Sequence, residues 1–250
     1  MTALALINAE ILAGPLRLGT VANQLSMELT ADSLDATVFT SAGWRQFVGG
    51  MRSAMVETSG FYDASAPEAG ALAPDTQIWS EVGGATQVPV TLCPTGADLD
   101  VAYIVGTRRG TVQLFGKIGE LAPFGSSMWG DGLVARGQLI HPATVLRTAG
   151  GTGSTAILGT IPTGRNLIWS IHVTAVTGTT PALTLTIQRD DNAGFTSPTT
   201  VTTSGPFSTP TATMLVVPGP ITPDDRYRVT WTLTGTTPSA RFAVAVGVTP

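Results

Sequence analysis

Apolar and polar residues alternate one by one along much of this chain, and that period fits only an extended strand with one buried face. Leu167, Trp169, Ile171 and Val173 point one way and Asn166, Ser170, His172 and Thr174 the other. Tyr227, Val229, Trp231 and Leu233 repeat the pattern against Arg226, Arg228, Thr230 and Thr232, and Phe242, Val244, Val246 and Val248 close the chain. The aromatics Trp169, Tyr227 and Trp231 fall on the inward side. His172 falls on the polar side and reads as a surface residue. Strands at this spacing with turn residues between them predict an antiparallel β-sandwich. Thr-Gly-Thr-Thr-Pro occurs at 177–181 and 234–238 and reads each time as a hairpin loop.

The earlier part of the chain predicts strands near 21–30, 51–58, 88–92, 100–107, 110–117 and 132–140, with Arg108-Arg109-Gly110 as a hairpin tip. It also holds a short helix: Pro74 at the first helical position, Asp75 in the first turn, Ile78, Trp79 and Val82 on one face, then Gly83-Gly84 as a stop. The fold class is therefore all-β, mainly antiparallel, with one short helix. The Gly/Ser/Thr-rich run from Arg147 to Ala156 is a seam, so two domains are expected, 1–146 and 147–250. Residues 1–146 hold thirteen acids against seven bases, whereas 147–250 hold four against six. The overall charge of −4 thus conceals an acidic first half and a mildly basic second half.

Only 12% of residues are charged, and Lys117 is the single lysine. So little charge, on a surface rich in Thr and Ser, suits permanent assembly better than dispersed monomers. Cys93 has no partner for a disulfide or zinc cluster. The N-terminus lacks the basic start of a secretion signal, Asn8 and Glu10 interrupt its apolar run, and no stretch reaches the length of a membrane span. A soluble protein made in a cytoplasm is expected.

Catalytic chemistry finds little to work with. His141 and His172 are the only histidines, lie in different predicted domains, and have no metal-ligand spacing with Cys93. No Gly-x-Ser-x-Gly turn accompanies either. Asp190-Asp191-Asn192 lacks the ligand order of a calcium loop and reads as a turn; Asp98 and Asp100 have no assigned acid and base; Val105 to Gly110 has no helix to complete a phosphate site. The longest run of bases is Arg108-Arg109, which argues against tight nucleic-acid binding. No enzyme, cofactor or metal is expected.

About twenty residues join the strands near 21–30 and 51–58, and a connection that long usually has a task. It carries Phe39, Trp44 and Phe47 among polar residues. The order of Asp35, Thr37, Phe39, Trp44, Gly50, Gly60 and Phe61 resembles the tail tube (major tail) proteins of long-tailed, non-contractile bacteriophages. His172-Val173, Thr-Pro-x-Leu at 180–183, Gln-Arg-Asp-Asp-Asn-x-Gly-Phe at 188–195 and Tyr-Arg-Val-x-Trp at 227–231 extend the resemblance, most closely to actinobacterial phages.

The resemblance implies a tail-tube β-sandwich or barrel domain followed by a C-terminal β-sandwich. It implies hexameric rings stacked into a hollow tube within a virion tail, assembled in the host cytoplasm. Tape measure, tail terminator and distal tail proteins would be partners, and phage DNA would pass through the lumen without tight binding. Candidate inter-subunit residues are Asp35, Thr37, Phe39, Trp44, Arg45, Phe47 and Phe61. Phe47 reads equally as cover for the subunit's own core; Trp44, among polar neighbours, reads as interface. Virion decoration or glycan adhesion by the C-terminal sandwich, and a tube subunit of a related injection or gene-transfer particle, are the alternatives.

Overall fold

A computed structural model describes residues 8–38 and 44–250. The strands are β1 (Glu10–Ala13), β2 (Leu16–Arg17), β3 (Ala22–Asp35), β4 (Phe47–Phe61), β5 (Val88–Cys93), β6 (Val101–Leu114) and β7 (Pro123–His141). They continue with β8 (Gly151–Thr152), β9 (Ala156–Ile157), β10 (Asn166–Asp190), β11 (Thr199–Phe207), β12 (Thr211–Pro218) and β13 (Arg226–Val248). Every pairing among the described residues is antiparallel, and the α-helix, α1, spans Pro74–Glu81. The fold is all-β with one short helix, as the alternation and the Pro74 start predict.

The longest strands correct the reading of the repeated Thr-Gly-Thr-Thr-Pro segments. β10 and β13 pair along their whole length, from Leu167↔Val248 to Asp190↔Arg226, and the two segments face each other inside that ladder. Both are bends rather than hairpin loops. Gly178 and Gly235 take φ of 122° and 123°, and Thr180 and Thr237 take 49° and 46°, values in the left-handed region that turn a strand sharply. Each strand therefore crosses from one layer of the sandwich to the other at a matched corner. Trp169, Ile171, Leu185, Tyr227, Trp231 and Phe242 meet between the layers, with Trp169 and Tyr227 edge to face at 6.1 Å.

Arg108-Arg109-Gly110 likewise lies within a continuous strand, not at a tip. Register shifts after Val105 and Arg109 bend β6 without ending it, and the Trp129 ring covers the bare backbone of Gly110. Arg109 is fully buried and donates from Nε to Glu81 Oε2 of α1 at 2.9 Å, fixing the helix to the sheet. In α1 Pro74 and Ile78 face the core, whereas Trp79 and, just past the helix end, Val82 are exposed, so the inward stripe is narrower than the spacing predicted.

The glycine-rich seam is pinned rather than free. Arg147 and Ala240 exchange two backbone hydrogen bonds of 2.8 Å, Gly151 and Thr152 pair with β13, and Gly153 donates to the Val229 carbonyl. On both sides of it the chain contributes to one sheet, because β13 pairs with β7 from Val244↔His141 to Val248↔Arg136. A small-residue core lies across this junction: Leu12, Cys93, Ala102, Ile104 and Leu139 pack with Ile168, Ala243 and Ala245.

His172 is accordingly not a surface residue. The face of β10 that carries it is covered by β5 and the turn after β1, and the ring is wholly buried. Nδ1–H donates to the Gly14 carbonyl at 2.7 Å, leaving Nε2 to accept from the Ser170 hydroxyl at 2.6 Å, and Ser170 Oγ in turn accepts from the Thr91 hydroxyl at 2.9 Å. Burial drives its pKa down to about 4. His141 is lowered to about 4 for the same reason; its Nε2 accepts from Arg147 Nε at 2.8 Å, which requires a neutral ring.

Candidate functional site: an assembly surface

β3, β4, β7 and the end of β6 form a four-stranded sheet with two unlike faces. On one, Leu25, Met27, Val56, Phe124 and Met128 pack with Ile78 of α1. On the other, cross-strand rows place Ser26, Glu57, Ser127 and Thr111 side by side, and Gln24, Ser59, Gly125 and Gln113 beside them. This second face is exposed and lined by hydroxyls and amides, with a shallow trough of about 190 Å³ along it. Glu28 and Glu57 are its acids. Arg108, in register with Trp129, is tied to Asp131 at 2.6 Å.

Both edges of this sheet are open among the described residues. β3 pairs only with β4, and β6 from Thr111 to Leu114 pairs only with β7. Exposed edges present rows of backbone donors and acceptors, a template for pairing with another chain.

The connection read as about twenty residues is shorter. β3 and β4 reach residues 35 and 47 and pair to their ends, Asp35↔Phe47, and beyond Ala54, which still packs on Gly130 of β7, neither pairs with another strand among the described residues, so the hairpin stands out as an arm. Both faces of the arm are in solvent, and polar residues on both sides erase the period-two signal that would have marked it as strand. At its neck Ala36 N–H donates to the Gln46 carbonyl at 2.8 Å. Thr37 donates from its backbone and hydroxyl to Asp35, holding that carboxyl below its ordinary range.

Asp35, Thr37, Trp44, Arg45 and Phe47 thus gather at the outer end of the arm, all exposed, with Trp44 at 79%. Phe47 does not cover the subunit's own core. Phe39 lies outside the described residues. Phe61 is exposed at the opposite end of β4 and belongs to a separate patch. That patch includes Phe115, Ile118 and Leu121 of the β6–β7 loop, which sequence reasoning passed over; the signal was an apolar residue every three positions within Gly-rich turn sequence.

Elsewhere the candidate chemistry is structural. Asp100 accepts from the Thr95, Gly96 and Val101 N–H groups, and Asp190 from Asn192 and Ser197, so both organise turns. Among the described residues no three His, Cys, Asp or Glu side chains gather as a metal would require. No helix there is long and apolar enough to cross a membrane.

No protein-family model matches the chain, and no curated protein does. Among solved structures it is similar to a chain in the virion of a native gene transfer agent particle, at 17% identity and a TM-score of 0.43, covering 54% of this chain and 98% of that one. A chain in the tail of an empty gene transfer agent particle, computed with six-fold symmetry, gives 17% and 0.36 over 46% and 81%. The SPP1 Dit protein, described as a hub of the adsorption apparatus of phages infecting Gram-positive bacteria, gives 14% and 0.32 over 96% and 98%. Likeness at this level assigns neither activity nor assembly.

Proposed function

We propose that this chain is a structural virion protein that polymerises as stacked rings into a phage tail tube, the channel for genome ejection. The observation that carries the reading is the four-stranded sheet with two open edges and one uncovered polar face. Side-by-side copies, six by the family resemblance, would join β3 of one to β6 of the next and leave no edge. Core and helix would then lie outside, and the polar face would line the channel. A wall of hydroxyls and amides with Glu28 and Glu57 repels phosphate, so DNA slides without the counterion release that holds it to cationic surfaces. Residues 1–146 would build the tube and 147–250 continue or decorate it, with no catalysis.

Negative-stain microscopy of the purified protein tests the reading: rings or tubes with six-fold symmetry support it, and a monodisperse monomer at high concentration would sink it. Trp44→Ala is expected to leave the melting temperature unchanged, because the side chain touches little of its own subunit, yet to abolish most polymer by sedimentation. Replacing Glu28 and Glu57 together by Lys is expected to preserve tubes and slow DNA ejection; unchanged ejection kinetics would remove the channel assignment.

A further inference from the structure

The arm tip and the Phe61 patch lie at opposite ends of the same strands. β4 runs from Phe47 to Phe61, roughly 45 Å at the rise of an extended strand. The patch is a shaped loop. Phe115 N–H bonds the Pro123 carbonyl at 3.2 Å, Tyr62 packs on the Phe115 ring at 5.3 Å, and Glu120 N–H closes a turn on the Lys117 carbonyl. That turn holds Ile118 fully in solvent, with Leu121 exposed beside it. The charges of the two ends are complementary: Arg45 adjoins Trp44 and Asp35 lies at the same end of the arm, while Lys117 and Glu120 flank Ile118 in the loop.

We infer that the β6–β7 loop, with Phe115, Ile118 and Leu121, is the socket for the arm tip of a second copy of this chain. Translating one molecule along the strand direction sets Trp44 against Ile118, with Asp35 able to meet Lys117 and Arg45 to meet Glu120. Tip and socket are different surfaces, so the contact is head to tail and propagates instead of closing as a dimer. Its extension into stacked rings rests on the tube reading; the contact itself does not.

Bifunctional maleimide cross-linking of an Arg45→Cys/Glu120→Cys double variant, which leaves Trp44 and Ile118 in place, tests it. The native Cys93 is buried and its thiol pKa is pushed up by that burial, so it stays silent. The expected result is a ladder of covalent multimers from the double variant and none from either single variant. Hollow particles without a ladder would overturn the socket and leave the tube reading standing. A discrete dimer from Arg45→Cys alone would overturn it by showing tip against tip. A ladder without hollow particles would sustain the socket and remove the tube; neither ladder nor particles would remove both.

Discussion

Gly137→Ala is expected to destabilise the protein by about 4 kcal/mol or more, the range reached when a substitution clashes with atoms that cannot move aside. Gly137 faces Gly247 where β7 meets β13. A Cβ there would stand 2.7 Å from the Val246 carbonyl carbon and closer still to its oxygen and to the Gly247 Cα. Every one of these atoms is backbone, so relief requires prising the two strands apart. That junction is flanked by Ile168, Ala243 and Ala245, which would lose their packing against Leu139 and Ala135. Gly125→Ala is the control, since its Cβ would meet only the Gln113 Cβ at 3.8 Å. Urea denaturation of both variants checks this, and equal midpoints would show that the junction tolerates separation.

Acid is expected to destabilise the protein steeply between pH 6.5 and 4, before most of its carboxylates are protonated. His141 and His172 are both held near pKa 4 by burial, against an ordinary value of about 6.5. The unfolded chain therefore binds more protons than the folded one between pH 6.5 and 4, and stability falls as pH falls through that window. Each histidine contributes a slope of about 1.4 kcal/mol per pH unit there, full only well inside the window. Together they remove several kcal/mol by pH 4, comparable to the whole stability of an ordinary domain. His172→Gln keeps a hydrogen-bonding side chain near Gly14 and is expected to halve the slope between pH 6 and 5, read from denaturation midpoints across that range. A slope unchanged from the unaltered protein would mean the ring is not held neutral.

The inward set Trp169, Tyr227 and Trp231 was legible because each lies in a strand with one apolar face, and the helix was legible from Pro74 and the glycines that stop it. His172 was misjudged for a reason within the same logic. Alternation tells which residues share a face, but whether the polar face meets water depends on what folds over it, here a strand whose Thr91 lies 81 residues earlier in the chain. The arm was read short because strands exposed on both faces carry no period. Of the candidate inter-subunit residues, Asp35, Thr37, Trp44, Arg45 and Phe47 share the tip and Phe61 stands at the other end of β4, because nearness in sequence along a paired strand becomes distance in space.

Local chemistry in the chain was sufficient to determine an all-β fold, the sandwich core and an acidic, lysine-poor first half. Only tertiary structure decided that the two Thr-Gly-Thr-Thr-Pro segments are facing corners, that Arg109 and His172 are buried, and that one polar face and two edges are left uncovered among the described residues. The reason is physical. Strand formation follows from side-chain period within a few residues, whereas burial, bending and open edges are set by which distant strands pair.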